Sequence, residues 1–230
     1  IAKTTFLQYL KIFESGIFNL DAHYYLAQAC VKVKDSICAL SHFQKVTDLY
    51  NKHLEPSYLY LARHYFSINN FEKSNESYLN LEKIATSNSL KREAIIRLML
   101  GFETGENEQS ENVVIYANKV LNLDKLDDGL KNKASVILAR SYFTHGNFQK
   151  AEKTFSALSE NAIDRVGAEA TYMMAYLNYL NDSLQRSETI IYQLANDFTA
   201  DYWIAKGFIL LSDIYKQRGN AFQAKATLES

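Results

Sequence analysis

The stretch ASVILARSYFTHGNFQKAEKTFSAL, residues 134–158, has the pattern of two helices joined by a turn. Its first half carries a large, a small and a large side chain at positions i, i+1 and i+4, which share one face of a helix: Leu138, Ala139 and Tyr142. Gly146 and Asn147 favour a turn and the start of a helix. In the second half, a small residue precedes a large one by four positions: Ala151 and Phe155. Because small residues let two helices approach closely, the stretch predicts a helical hairpin.

The same pattern recurs along the whole chain. LARSYF at 138–143 nearly repeats LARHYF at 61–66. The small residue returns at spacings of 35, 37, 40, 36 and 37 residues, at Ala27, Ala62, Met99, Ala139, Ala175 and Ser212. A period of this length is typical of helical repeats, whose hairpins bury their apolar faces by stacking. Ala2 and Phe6 fit the second helix of a unit, so the sequence predicts about six hairpins preceded by one helix.

These residues make the chain resemble the tetratricopeptide repeat (TPR) family, whose units have the same order of large, small and aromatic residues. The early Trp and the closing Pro of that signature are absent, and unit three needs a one-residue shift at 104–117. The resemblance implies an all-α, right-handed superhelix, a TPR-like solenoid forming one domain over 1–230. Its units would lie near 1–19 (partial), 20–54, 55–91, 92–131, 132–167, 168–204 and 205–230. The longest spacing predicts an extended loop at 122–133.

The final segment, 202–228, resembles the terminal units of large multi-TPR proteins of the bacterial envelope, including the periplasmic type associated with the Tol-Pal system. This resemblance implies a periplasmic or outer-membrane-associated location, and a cytoplasmic one stays open. The chain starts at Ile1 without a signal-peptide pattern and stops at Ser230 inside a helical pattern, which predicts a piece of a longer protein. Exposed ends of the stack predict weak self-association.

Composition and motifs argue against several functions. The 25 Lys and Arg residues balance 26 Asp and Glu residues, so the basic excess of a nucleic-acid-binding protein is missing. No apolar run approaches the ~20 residues that span a bilayer, so we expect no membrane insertion. The five His lack metal-binding or catalytic spacing, and DKLDDG at 124–129 does not match a calcium loop. We therefore predict no enzyme activity, no catalytic residues, no cofactor and no metal site.

The two cysteines, Cys30 and Cys38, are eight positions apart and form no CxxC motif. Our first interpretation is a pair of small buried thiols. The alternative is a disulfide, which requires that both residues lie where one hairpin folds back and that their Cα atoms come within about 7 Å.

One stripe of each first helix lines the concave groove in TPR arrays, and the resemblance implies the same here. The predicted groove residues are Tyr24, Gln28, Lys32, Arg63, Phe66, Arg140, Phe143, Tyr172, Tyr176 and Tyr179. Further positions of the stripe are Val31, Leu59, Ile96, Leu100, Glu103, Val136, Ile209, Asp213 and Lys216. Aromatic and Arg side chains are enriched at interfaces. Two other interpretations stay open: the tyrosines pack in the core, and each Arg covers an aromatic ring with its head in water.

The leading functional hypothesis is a non-enzymatic scaffold that binds a peptide or partner helix in this groove, within a bacterial envelope protein. One alternative is a ligand- or peptide-sensing regulatory module of a larger signalling or transcriptional protein. Another is a non-catalytic subunit that supports an enzyme. The carboxylate clamp of chaperone-binding TPR domains needs Asn where this chain has Arg63, Arg140 or Tyr176, which argues against a chaperone-tail adaptor.

Overall fold

The computed structural model describes residues 2–104 and 111–229, which form thirteen α-helices and no β-strand. The helices are α1 (Ala2–Ile12), α2 (Asn19–Lys32), α3 (Ser36–Thr47), α4 (Leu54–Ser67), α5 (Phe71–Ile84), α6 (Asn88–Thr104), α7 (Glu111–Leu121), α8 (Asp128–Thr144), α9 (Phe148–Asn161), α10 (Arg165–Leu180), α11 (Leu184–Asp197), α12 (Asp201–Gln217) and α13 (Ala221–Glu229). The predicted all-α class and the leading helix are confirmed. Within the described ranges, no helix is both long enough and apolar enough to span a membrane.

The chain divides into two compact units, Ile1–Tyr116 and Ala117–Ser230. In the first unit, α1 to α5 each pack against the helix that follows in sequence. In the second unit, α8 to α12 do the same, and α10 also contacts α8 and α12. Contacts between sequence neighbours are typical of stacked hairpins. The single-domain assignment and the predicted bounds of the repeats stay predictions.

The turn between paired helices has the same backbone form at five places in the described chain. Each turn contains one residue with positive φ: Lys34, Asn69, Gly146, Asp182 and Gly219. The N–H of the next residue donates to a carbonyl five positions back, as Asn147 does to Tyr142 at 2.8 Å. The Asn147 side chain then caps the following helix by accepting from the Lys150 N–H at 3.4 Å. The large residue three positions after the small one, Tyr142 in this repeat, therefore also supplies the carbonyl that closes the turn after the first helix.

The small residues mark where the two helices of a pair cross. Several of these positions hold serine, and each such hydroxyl donates to a backbone carbonyl of the partner helix: Ser74 to Ala62 at 3.1 Å, Ser187 to Ala175 at 2.8 Å and Ser212 to Ala224 at 2.9 Å. A buried hydroxyl with a hydrogen bond avoids the cost of desolvation. Serine can therefore replace alanine at the crossing without disturbing the packing.

Cys30 and Cys38 are joined by a disulfide, with Cα atoms 5.8 Å apart. The first interpretation, two unpaired thiols, is therefore wrong, because the tight turn from α2 to α3 brings both residues together. Asp35 lies beside them and accepts from the Lys3 Nζ at 2.7 Å and from the Cys38 N–H at 3.1 Å. These two cysteines and Asp35 form a cluster of potential metal ligands in the described chain, but the disulfide occupies both sulfurs.

The extended loop predicted at 122–133 is wrong, because α8 already begins at Asp128. The Asp127 side chain accepts from the Leu130 N–H at 2.9 Å and caps the helix. The charged residues after Asp127 therefore form the first turns of α8, and the link between α7 and α8 is limited to residues 122–127. The one-residue shift predicted at 104–117 falls partly on residues outside the described ranges.

Candidate partner-binding groove

Residues of α2, α3 and α4 surround an open pocket of about 650 Å³, here called pocket A. Its lining residues are Tyr24, Gln28, Val31, Lys32, Phe43, Pro56, Leu59, Tyr60, Arg63 and His64. Six of them were predicted from the stripe of the first two repeats: Tyr24, Gln28, Val31, Lys32, Leu59 and Arg63. The structure therefore brings these predicted positions into one pocket, and their role in binding stays a prediction.

Aromatic rings shape pocket A. The Tyr24 ring stacks on His53 with centroids 3.9 Å apart, and its hydroxyl accepts from the Gln28 Nε2 at 2.6 Å. The Tyr60 ring lies 4.5 Å from the Phe43 ring. Burial raises the pKa of Tyr24 and of Tyr60, so both phenols stay neutral. The pocket thus offers apolar ring surface together with neutral hydrogen-bonding groups.

A second pocket of about 630 Å³, here called pocket B, lies between α4 and α6. It is lined by Arg63, Ser89, Arg92, Glu93, Ile96, Arg97 and Leu100, and Ile96 and Leu100 were predicted stripe positions. Glu103 was also assigned to the stripe, but it is only 8% exposed, so that assignment is wrong. Phe66 lines neither pocket, and the Arg97 guanidinium lies over its ring, 4.6 Å from the centroid.

Arg63 lines both pockets and is bound to a carboxylate. Its Nε and Nη2 donate to the Glu93 Oε1 and Oε2 at 2.7 and 2.5 Å. These hydrogen bonds hold the pKa of Glu93 below its usual value and raise the pKa of Arg63. Arg140 makes the same two-pronged contact with Glu169, with Nη2 and Oε2 2.6 Å apart. Both copies of the LAR motif therefore connect consecutive first helices, a role that neither sequence interpretation included.

In the second unit, Tyr172, Tyr176 and Tyr179 lie along one side of α10. Their rings are nearly parallel, with successive centroids 6.2 and 6.4 Å apart. All three are half-buried and pack against a core that includes Ile191 and Leu210. These contacts match the core-packing interpretation, although the outer part of each ring stays accessible. The groove role of the three tyrosines stays a prediction.

The other stripe positions of the second unit differ in exposure. Val136 is only 1% exposed, so its assignment to the groove is wrong. Phe143 is half-buried, and its ring centroid lies 5.9 Å from that of Tyr176. In α12, Ile209 is exposed, and the Lys216 Nζ lies 3.0 Å from an Asp213 carboxylate oxygen.

Sequence reasoning missed several pocket residues. Tyr60 and His64 immediately follow stripe positions of α4, so a wider stripe would have included them. Arg92 and Glu93 lie one helical turn before Ile96, on the same side of α6. Phe43 comes from a second helix, and the stripe of the first helices gives no signal for it.

Comparison with solved structures supports the fold. The chain is similar to the crystal structure of MamA protein, with 13% identity, a TM-score of 0.56, and coverage of 78% of this chain and 90% of that one. It is also similar to PilW, described as a widely conserved type IV pilus biogenesis factor, with 17% identity, a TM-score of 0.50 and coverage of 91% and 92%. A tetratricopeptide repeat protein from Parabacteroides merdae overlaps less well, with 15% identity, a TM-score of 0.45 and coverage of 98% and 82%.

No protein-family model matches the sequence, and comparison with curated proteins also found no match. The class of protein therefore follows from the structure: consecutive helical hairpins with small residues at each crossing and a repeated closing turn. The chain has a TPR-like fold.

Proposed function

We propose that this chain is a non-enzymatic scaffold that binds a peptide or helix of a partner protein along pockets A and B. The observation that carries the proposal is the convergence of Tyr24, Gln28, Lys32 and Arg63 on pocket A. These residues come from two repeats, and they share the predicted stripe of each first helix. A surface of aromatic rings edged by Lys and Arg is well suited to binding protein.

The positions of the two pockets also support a partner that lies across several repeats. Each pocket lies between consecutive first helices, and Arg63 belongs to both. An extended peptide or an amphipathic helix can place one side chain in each pocket, which gives affinity from several small contacts. The half-buried tyrosines of α10 are a second candidate surface for such a partner.

The disulfide supports the envelope context. Disulfides persist in oxidising compartments such as the bacterial periplasm and are rare in the cytosol. Cys30 is fully buried in the core of the first unit, where it packs with Leu26 and Phe43. The link to Cys38 therefore belongs to the folded core, and we propose that the chain folds in such a compartment.

The test is an affinity capture from a lysate of the source organism with three versions of the chain. They are the parent, a Val31→Glu/Leu59→Glu variant of pocket A, and a Tyr172→Ala/Tyr176→Ala/Tyr179→Ala variant of α10, each checked for helix content by circular dichroism. We expect a defined protein to bind the parent and to be lost with the pocket A variant. Retention of the same proteins by all three would refute binding at either surface. Loss with the tyrosine variant alone would move the site to α10.

A further inference from the structure

The charges around pockets A and B indicate what kind of segment can occupy them. The described residues that line the two pockets include four permanent cations, Lys32, Arg63, Arg92 and Arg97, and one carboxylate, Glu93. The whole chain has a formal net charge of −1, so this concentration of positive charge is local. Charges of one sign along a groove attract partners of the opposite sign and discriminate against like-charged ones.

Two of these cations form no direct ion pair among the described residues. Arg63 already holds Glu93 through two hydrogen bonds. Lys32 and Arg97, in contrast, form no ion pair with any residue in 2–104 or 111–229. Arg97 instead lies over the Phe66 ring, which fixes the guanidinium at the edge of pocket B. The charge of Arg97 also helps to lower the pKa of Glu93, but without a direct ion pair. Each cation can therefore meet a carboxylate of a partner without breaking an ion pair within the described residues.

Pocket A differs from pocket B in its chemistry. Phe43, Leu59 and Tyr60 give it a mainly apolar wall, and Lys32 lies at the same pocket. Pocket B combines Arg92 and Arg97 with a smaller apolar contribution. An apolar side chain fits the first pocket, and a negative charge fits the second.

We infer that the occupant is an acidic protein segment that places an apolar side chain in pocket A and carboxylates near Lys32 and Arg97. This inference rests on the proposed function, because it names the chemistry of the partner for the same groove. Mixed apolar and acidic character distinguishes such a segment from a nucleic-acid duplex, whose outer phosphates would not use the apolar wall of pocket A. It also distinguishes the segment from a basic peptide, which Lys32 and Arg97 would repel.

Selection from a displayed library of random dodecapeptides tests the inference without knowledge of the natural partner. We expect the selected peptides to be rich in Asp and Glu, poor in Lys and Arg, and to contain at least one large apolar residue. The affinity of a selected peptide is then measured by fluorescence anisotropy with the Lys32→Glu/Arg97→Glu variant. Reversing two cations should weaken binding by about tenfold or more, and added salt should weaken binding to the parent.

A matched control is the Lys83→Glu/Lys91→Glu variant, which changes the net charge equally at exposed positions outside both pockets. We expect it to bind the selected peptide within about twofold of the parent. If the reversal variant fails to fold, Lys32→Gln/Arg97→Gln replaces it, and a smaller loss of the same sign is expected. Equal binding by parent and reversal variant would overturn the inference.

Failure of the inference is distinguishable from failure of the proposed function. Basic or uncharged peptides that lose binding in the Val31→Glu/Leu59→Glu variant would overturn the acidic partner and leave the groove intact. The absence of any selected peptide, or selected peptides indifferent to both pocket variants, would count against the groove itself. Preferential binding of a single-stranded oligonucleotide, lost in the reversal variant, would identify a nucleic-acid surface and overturn both.

Discussion

The stability of the first unit should fall when the solution is acidified, because two histidines face each other between α2 and α3. The Nδ1 atoms of His23 and His42 are 2.8 Å apart, and their rings stack at 4.9 Å. His23 is only 7% exposed. Burial, followed by the charges of His42 and Lys45, lowers the pKa of His23 from 6.5 to about 4. Burial and the charges of Lys45 and Lys3 lower the pKa of His42 as well.

The sign of the effect follows from which state binds the proton. Below pH about 6.5 the unfolded chain takes up a proton at His23, while the folded chain stays neutral down to about 4. The contribution of His23 to the free energy of unfolding is therefore complete above pH about 6.5 and is lost as the pH falls toward about 4. At pH about 5.5 the expected loss from His23 alone is about 1.4 kcal/mol, and His42 adds to it in the same direction.

Urea unfolding followed by circular dichroism measures this loss at about pH 7.5 and about pH 5.5. The parent should lose at least about 1 kcal/mol more between the two pH values than a His23→Gln variant, which has no proton to bind at this position. An exposed histidine serves as the control, and a His145→Gln variant should keep the pH dependence of the parent. The same pH dependence in the parent and in His23→Gln would refute the role of this pair.

Three further predictions concern stability and association. Reduction of the Cys30–Cys38 disulfide should lower the free energy of unfolding by about 2 kcal/mol, and urea titrations with and without reductant should coincide when both cysteines are replaced by alanine. Replacing Arg140 by Ala should lower the free energy of unfolding by about 3 kcal/mol, because it leaves the Glu169 carboxylate, which is 5% exposed, without its ion-pair partner. Thermal melts should show a lower melting temperature that is partly restored by adding Glu169→Gln. An unchanged melting temperature would contradict the prediction. The parent should self-associate weakly in sedimentation velocity at high concentration, less so after Phe222→Ser in α13, and a strictly monomeric parent would contradict this.

Much of the fold could be predicted because each repeat carries its own local signals. Gly146 and Asn147 indicate the turn from chemistry that acts within a few residues, and the structure uses them for a positive φ and a helix cap. The small residue at Ala62 or Ala175 indicates a close helix crossing, and both crossings are present. The prediction of a loop at 122–133 was wrong because a charged run has the composition of a loop. The local signal that a helix begins there is the capping residue Asp127.

The candidate site was less predictable because it depends on contacts between repeats. Arg63 pairs with Glu93, and Arg140 pairs with Glu169, across 30 and 29 residues. A signal was nevertheless present, since each Glu lies six residues before the small residue of its own repeat and each Arg lies one residue after that of the preceding repeat. Comparing repeats at both positions would have found the pairs. The contribution of Phe43 to pocket A could not be predicted, because Phe43 lies on α3 and the predicted stripe lies on the first helices.

Site-specific photo-crosslinking in cells of the source organism addresses binding in the groove without a choice of partner. A benzoylphenylalanine at Leu59 places the reactive group in pocket A, and the same residue at Lys83 places it on an exposed part of α5. We expect irradiation to join one discrete partner protein to the chain from position 59 and not from position 83. No product from position 59, or the same products from both positions, would contradict partner binding in pocket A.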